Sequence, residues 1–426
     1  MLYQLLKWWL RLFYFPLFFG KVRKKGWHLI PQNKPLILAV THPLMYMDAM
    51  LLGAYFDRPL YFLTKSTVFT SPFLKKIFKM LNMIPVVRKM DGPQKGFNNA
   101  DTFGACKQIL AQGKTILIFP EGTSIWERQV RPVKSGTARL ALETEALHDF
   151  NLASAILPVS LNYDEPADWF PQVEIVVGEA LNVKDYQKEY AKQPARGQRK
   201  LTKDVELGMK AEFFQLDSHR REKALAFGRQ CIIQRGNFHS VNYTDDLRQL
   251  DQLISTAQEA SLLNLKLQWE GISDSVFAPF RIRPFRFILH NVFGFMIAPL
   301  GLWSGFCRLI QQFSLKLARK TSREKEVYGA NMLVINSLLF LLGILSLGFG
   351  ISLFSENYPV WPFLLIALLS YPMVGKVFTF YFNLWAKWKQ ILGKPEQKEI
   401  IFKIDQFIFS LEKDLKGARF HEQETI

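Results

Sequence analysis

Between residues 35 and 180 the chain alternates short, dense apolar runs with longer mixed ones, a rhythm found in neither its first nor its last part. The short runs predict strands over Leu36–Thr41, Leu60–Leu63, Met83–Val87, Thr115–Phe119, Ala155–Asn162 and Val173–Gly178. Helical spacing fills several of the gaps, as in Gly96–Ala111 and Gly136–Ala146. This order predicts an α/β domain over 28–183 with a mostly parallel sheet flanked by helices, whose sites lie at the carboxyl ends of strands.

The flanking regions follow other rules. Residues 1–27 read as an amphipathic helix at a membrane interface: Gln4, Lys7 and Arg11 make a polar stripe among Trp8, Trp9, Phe13, Tyr14, Phe15, Phe18 and Phe19. Lys21, Arg23, Lys24 and Lys25 would then reach anionic headgroups. The competing reading is a helix packed on the domain. A secretory signal is excluded, because Lys7 and Arg11 break the apolar run and no small-residue cleavage site follows. Residues 184–285 are polar, charged and helix-prone, and read as a helical accessory region without a chemical motif.

Residues 286–390 read as a membrane region. Segment 331–354 has 24 residues and no charge, enough to cross a bilayer of about 30 Å at about 1.5 Å per residue. A second span follows over 359–384. The loop between them lacks Lys and Arg, whereas Arg308, Lys316, Arg319, Lys320, Arg323 and Lys325 precede the pair and Lys387, Lys389 and Lys394 follow it. This asymmetry puts both ends of the hairpin, the helical tail 391–426 and the α/β domain on the cytoplasmic face, the inner membrane in a bacterium. Segment 286–310, basic at both ends with Pro299 and Gly301 in its middle, either dips and returns or spans.

Composition narrows the partners. A formal net charge of +17 points to polyanions, but 37 Phe and 10 Trp are heavy for a nucleic-acid binder, and a nucleic-acid partner would leave the hairpin unexplained. Three separated cysteines suggest neither a metal site nor a disulfide framework. Cys106 shares a helical face with Phe103 and Leu110, as a core residue would. No cofactor is expected.

Chemistry concentrates where predicted strands end. His42 closes the first strand, and Asp48 follows in the first turns of the next helix; a carboxylate beside an imidazole fixes its tautomer and raises its basicity. Arg88 ends IPVVRKMDG as a fixed cation. TILIFPEGTS turns through Phe119, Pro120, Glu121, Gly122, Thr123 and Ser124, a corner that bares backbone N–H groups. Pro158 interrupts AILPVSLNY, favouring an edge or a bulge. Each feature alone has a bland alternative, while four in this order carry weight together.

These stretches resemble the glycerophospholipid acyltransferase superfamily, with its His-x4-Asp pair, later Arg strand, Phe-Pro-Glu-Gly-Thr block and Pro-containing strand. Lys134-Ser135-Gly136 matches the basic-Gly step after the third block, and the resemblance covers about residues 25–180. There are two departures. The spacing here is His-x5-Asp, which is similar to fungal glycerol-3-phosphate acyltransferases and a set of bacterial relatives. Ser124 also replaces the common Arg, shifting phosphate binding onto Arg88 with Lys65 or Arg131.

The resemblance implies transfer of a fatty acyl group from acyl-CoA or acyl carrier protein to glycerol-3-phosphate or a lysophospholipid. His42 would be the general base and Asp48 its orienting partner. N–H groups near Gly122 and Thr123 would meet the oxyanion, and Glu121 would bond the acceptor hydroxyl or orient Arg88. A groove near Pro158 would take the acyl chain. With no Gly-x-Ser-x-Gly elbow, transfer would be direct within a ternary complex. The rival acceptors are 1-acylglycerol-3-phosphate and other lysophospholipids; the rival class is a non-catalytic lipid-binding scaffold, which would have no use for His42, Asp48, Arg88 and Glu121 together.

Overall fold

The computed structural model describes residues 2–19, 21–87, 99–163, 172–216, 221–225, 227–228, 243–253 and 256–272, with isolated positions beyond. The chain divides into two compact units, Met1–Phe213 with 313–347 and Phe214–Gln312 with 348–426.

The first unit opens with α1 (Leu2–Trp9), a π-helical stretch (Leu10–Tyr14) and the short α2 (Phe15–Phe18). Then come β1 (Lys21–Lys25), β2 (Leu36–Val40), α3 (Tyr46–Tyr55), β3 (Leu60–Lys65), α4 (Pro72–Met80), β4 (Met83–Val86), α5 (Asn99–Ala111), β5 (Thr115–Ile118) and α6 (Gly136–Ala146). The unit closes with β6 (Ala155–Tyr163), β7 (Gln172–Val177), β8 (Leu181–Asn182), α7 (Gln187–Lys192) and α8 (Pro194–Glu212). The strands form one sheet in the order β1-β7-β6-β2-β5-β3-β4, with β8 beside β6. From β6 to β4 every neighbouring pair is parallel, whereas β7 runs antiparallel to β6 and carries β1 parallel to itself.

Both faces of the sheet are covered, which is why its central strands are apolar without alternation. One face packs Leu36, Leu38, Val40, Leu157, Val159 and Leu161 against the N-terminal helices and α3. The other packs Ile37, Ala39, Ile116 and Ile156 against α5, α6 and α8. Cys106 sits in this second core, and burial pushes its thiol up to about 12, so it is a packing residue.

Each predicted strand is present within two residues of its expected ends. Three elements were not foreseen: β1, the surface helix α4 and β8. Both domain boundaries move. The sheet starts at Lys21, before residue 28, because the basic run Lys21–Lys25 pairs with β7. The α/β unit also runs past residue 183 to Phe213, because Leu201, Val205 and Met209 give α8 an apolar face for the sheet.

The N-terminal segment packs on the domain, as the competing reading of its sequence had it. Tyr3, Lys7, Leu10 and Tyr14 face the domain: the Tyr3 hydroxyl accepts the Leu60 N–H at 3.1 Å, and Leu10, Tyr14, Phe15 and Phe19 are buried. The cations turn inward as well. Lys7 Nζ donates to the Phe56 carbonyl, Lys24 Nζ to the Tyr55 carbonyl at 3.3 Å, and Arg11 lies over the Tyr55 ring. These carbonyls end α3, whose last C=O groups have no partner within the helix, so the lysines cap it. Arg23 reaches Gln172 at 3.2 Å. The expectation that Lys24 and Arg23 point at headgroups is therefore corrected. What α1 turns outward is apolar, with Leu5 60% and Trp8 67% exposed, beside Leu2, Leu6, Trp9 and Leu12.

In the second unit, helices Tyr243–Leu253 and Thr256–Ile272 are joined through Arg221, which pairs with Asp251 and with Glu259 at 3.2 Å. Among the described residues no helix is long and apolar enough to cross a membrane. The expected spans 331–354 and 359–384, segment 286–310 and the tail 391–426 lie, but for single positions, outside the described residues.

Candidate active site

The site grows from the carboxyl end of β2, in the middle of the sheet. As β2 leaves the ladder, the Thr41 N–H donates to Val159 O at 3.1 Å and its hydroxyl accepts the Leu161 N–H at 2.9 Å, so the side chain extends the pairing by one step. His42 follows, its side chain only 16% exposed. Its Nδ1 lies 2.8 Å from Asp48 Oδ2. An ionised carboxylate only accepts, so the shared proton sits on Nδ1 and the Nε2 lone pair is left free. The imidazole stacks on Phe119 with centroids 3.7 Å apart and planes inclined by 12°.

Asp48 is fully buried and satisfied by three donors. Oδ2 also accepts the Leu44 N–H at 2.8 Å, and Oδ1 accepts the Tyr163 hydroxyl at 2.7 Å. Burial, then the Asp48 charge, push the Tyr163 phenol well above its ordinary value of 10.0, so it stays a donor. The longer His-x5-Asp spacing thus closes into a tight pair.

The corner after β5 supports this pair from the other side. Glu121 is buried, its Oε1 accepting the His42 N–H at 3.3 Å and its Oε2 accepting Arg131 Nε at 3.1 Å. Burial raises the Glu121 carboxyl above its ordinary value, opposed by Arg131 and the His42 N–H. Arg131 also donates from Nη1 to the Thr123 hydroxyl at 2.5 Å and from Nη2 to the Thr123 carbonyl, and it meets Glu127 at 3.4 Å. Gly122 has φ +78°, a backbone conformation that favours glycine, and the end of the Lys134 side chain lies close over it.

Several expected roles change with this geometry. Arg131 is spent on Glu121, Thr123 and Glu127 and does not present a free cation for phosphate. Glu121 is committed to His42 and Arg131. The Gly122 N–H donates to Phe119 O at 3.1 Å and so is engaged by the protein's own backbone. Ser124 Oγ accepts the Met45 N–H at 2.8 Å and so holds protein backbone.

Pro158 is neither at a sheet edge nor at the site. It lies in β6 between β2 and β7, in register with Ala39 on the face covered by α8, where its ring lies against Gly208. Its missing N–H is tolerated because it falls where the neighbour of β6 changes from β8, paired at Ala155 and Ile156, to β7, paired from Val159 onward.

Lys65 ends β3 opposite Val86 and is partly exposed, with no hydrogen bond or ion pair among the described residues. Arg88 lies outside the described residues. The backbone just before it is fixed, since the Asn99 side chain accepts the Val87 N–H at 3.0 Å and donates to its carbonyl at 2.8 Å.

Sequence reasoning missed Tyr163 as part of the site, and it named Phe119 without the stacking on His42. Period-two alternation does place Tyr163 on the face of Leu157, Val159 and Leu161, a hydroxyl at the end of an apolar stripe. Lys134 was visible only as part of the basic-Gly step.

Comparison with known proteins agrees with this arrangement. The Acyltransferase family model matches residues 21–162, beginning at the first residue of β1. No curated protein gives a significant match. The crystal structure of the 1-acyl-sn-glycerophosphate (LPA) acyltransferase, PlsC, from Thermotoga maritima is similar at 17% identity and a TM-score of 0.35, over 49% of this chain and 78% of that one. The family match therefore covers the strand-end site, from β1 through the His42–Asp48 pair and the Phe119–Ser124 corner into β6, as an Acyltransferase-like domain.

Proposed function

We propose that the chain is a membrane-bound O-acyltransferase that moves a fatty acyl group from acyl-CoA or acyl carrier protein to glycerol-3-phosphate or a lysophospholipid. The observation that carries this reading is the His42–Asp48 pair, with Nδ1 held at 2.8 Å and Nε2 left open. A glycerol hydroxyl is too weak an acid to attack a thioester unaided. His42 Nε2 takes its proton as the oxygen bonds to the thioester carbonyl carbon, worth on the order of 10²–10⁴ in rate. Asp48 stabilises the imidazolium, and the Thr123 N–H donates to the oxyanion. Collapse breaks the C–S bond, and the departing thiolate takes the proton back from His42.

The acceptor's phosphate needs a cation at the same end of the sheet. Lys65 and Lys134 are the described side chains placed for it, with Arg88 following the Asn99-held Val87. The outward apolar face of α1 supports attachment to a bilayer, where a lipid acceptor and the product reside. A cytoplasmic placement of the domain rests on the charge asymmetry around 331–384 alone.

The spacing of six between His42 and Asp48 favours glycerol-3-phosphate. The test is acyl transfer by purified protein in mixed lipid micelles, offering radiolabelled glycerol-3-phosphate and 1-acylglycerol-3-phosphate in turn, first with a long-chain acyl-CoA and then with acyl carrier protein. Preferential product from glycerol-3-phosphate is expected. Preference for the acylated acceptor would reassign the substrate, and no product with any pair would favour a lipid-binding scaffold.

A further inference from the structure

The chain departs twice from the pattern it resembles, in the extra residue between His42 and Asp48 and in the serine after Gly122-Thr123. In the fold the two stretches meet, through the Met45 N–H and Ser124 Oγ. We propose that Ser124 is a positioning residue that anchors Met45 and thereby holds the longer His42–Asp48 connection in reactive register; this deepens the acyl-transfer reading and rests on it.

Met45 is the strained point of the connection, with φ 45° and ψ −116°. The Met47 N–H donates to Leu44 O at 3.0 Å, closing a turn around Met45 and Tyr46. A first central residue with these angles matches a type II′ turn, a position ordinarily given to glycine. The turn carries the chain from His42 into α3, where Asp48 in the first turn reaches both His42 Nδ1 and the Leu44 N–H at 2.8 Å. A non-glycine residue stays in such a conformation only where its surroundings over-determine it. Met45 has no side-chain cap of its own at the start of α3, and its N–H is taken by Ser124 Oγ at 2.8 Å.

That oxygen is itself well fixed. Arg131 grips Thr123 through its hydroxyl and carbonyl, and Glu121 ties the same corner to the His42 N–H. The two ties are in one register, 42 to 121 and 45 to 124, each spanning 79 residues. The chemistry also explains the residue type. The Met45 N–H needs an acceptor, and an arginine, the common residue here, has only donors.

The test measures kcat and KM for Ser124→Ala, Ser124→Thr and Ser124→Ala in a Met45→Gly background. Ser124→Ala is expected to lower kcat about tenfold with both KM values within about twofold, and Ser124→Thr, which keeps the acceptor, to recover most of the loss. In the Met45→Gly background the same Ser124→Ala change should cost less than about threefold, because glycine holds positive φ without the anchor. A raised acceptor KM at unchanged kcat would make Ser124 a substrate-binding residue and overturn the proposal, as would equal losses in both backgrounds.

A second readout separates this inference from the functional one. Urea unfolding of the same variants tests the anchor without substrate: non-additive destabilisation supports it, and additive effects overturn it. If the wild type transfers acyl groups to no acceptor, the functional reading fails while the unfolding cycle still decides the anchor.

Discussion

A buried carboxylate needs hydrogen bonds in place of the water it has lost, and Asp48 has three such bonds. The Tyr163 bond was invisible in the sequence, because the two residues are 115 positions apart and meet only through the pairing of β6 with β2. Tyr163→Phe removes one donor and leaves the ring, so Asp48 is held less firmly beside the imidazole. The expected result is a fall in kcat of about tenfold with KM unchanged. An unchanged kcat would make Tyr163 a packing residue only. Glu121 gives a second test. Its folded value is raised above the ordinary 4.5, so its favourable contribution is full below that pH and is lost as pH rises through the raised value. The stability of wild type relative to Glu121→Gln, from urea unfolding, should therefore decline as pH rises above 4.5. A relative stability that grows over this range would contradict the burial argument. The block Phe119–Ser124 was legible as a site corner because its types and order are specific. Which atoms hold which was not legible, since Arg131, Glu121 and Ser124 all turn to protein partners.

The core strands were readable from apolar density alone, since β2 and β6 are buried along their whole length. β1 was hidden because its residues, KVRKK, are basic and it joins only at the sheet edge. Pro158 misled because a proline in a central strand is rare, and the switch from β8 to β7 that accommodates it is a tertiary fact. For α1 the stripe Gln4, Lys7, Arg11 was seen, but its direction was not: Lys7 and Arg11 turn to the carboxyl end of α3, leaving Leu5 and Trp8 outside. On the proposed reading α1 meets a bilayer through its apolar residues, since Lys7 and Arg11 turn to its own domain. Leu5→Ser with Trp8→Ser should therefore weaken partitioning of the Met1–Phe213 face into anionic vesicles by tenfold or more, on the order of two lost apolar side chains, in co-sedimentation of the full chain. Partitioning that is unaffected by these changes but abolished by salt would contradict an apolar contact.

At the scale of the molecule, four adjacent parallel strands direct their carboxyl ends to one side, and the residues carried there, His42 after β2, Glu121 after β5, Lys65 on β3 and Val87 after β4, come from four separate stretches of chain. This is why strand-end motifs could be read as one site before any contact was known, and why the family match begins with the first strand. The domain limits were less legible, because α8 joins the sheet through an apolar face hidden in a highly charged sequence. The most direct measurement is acyl transfer to glycerol-3-phosphate and 1-acylglycerol-3-phosphate by His42→Ala beside wild type, with folding checked by urea unfolding. Loss of kcat by about 10²-fold or more in a folded variant is the predicted result, since the hydroxyl then has no base. Transfer that continues at the wild-type rate would mean that His42 does not take the proton, and the proposed mechanism would be wrong.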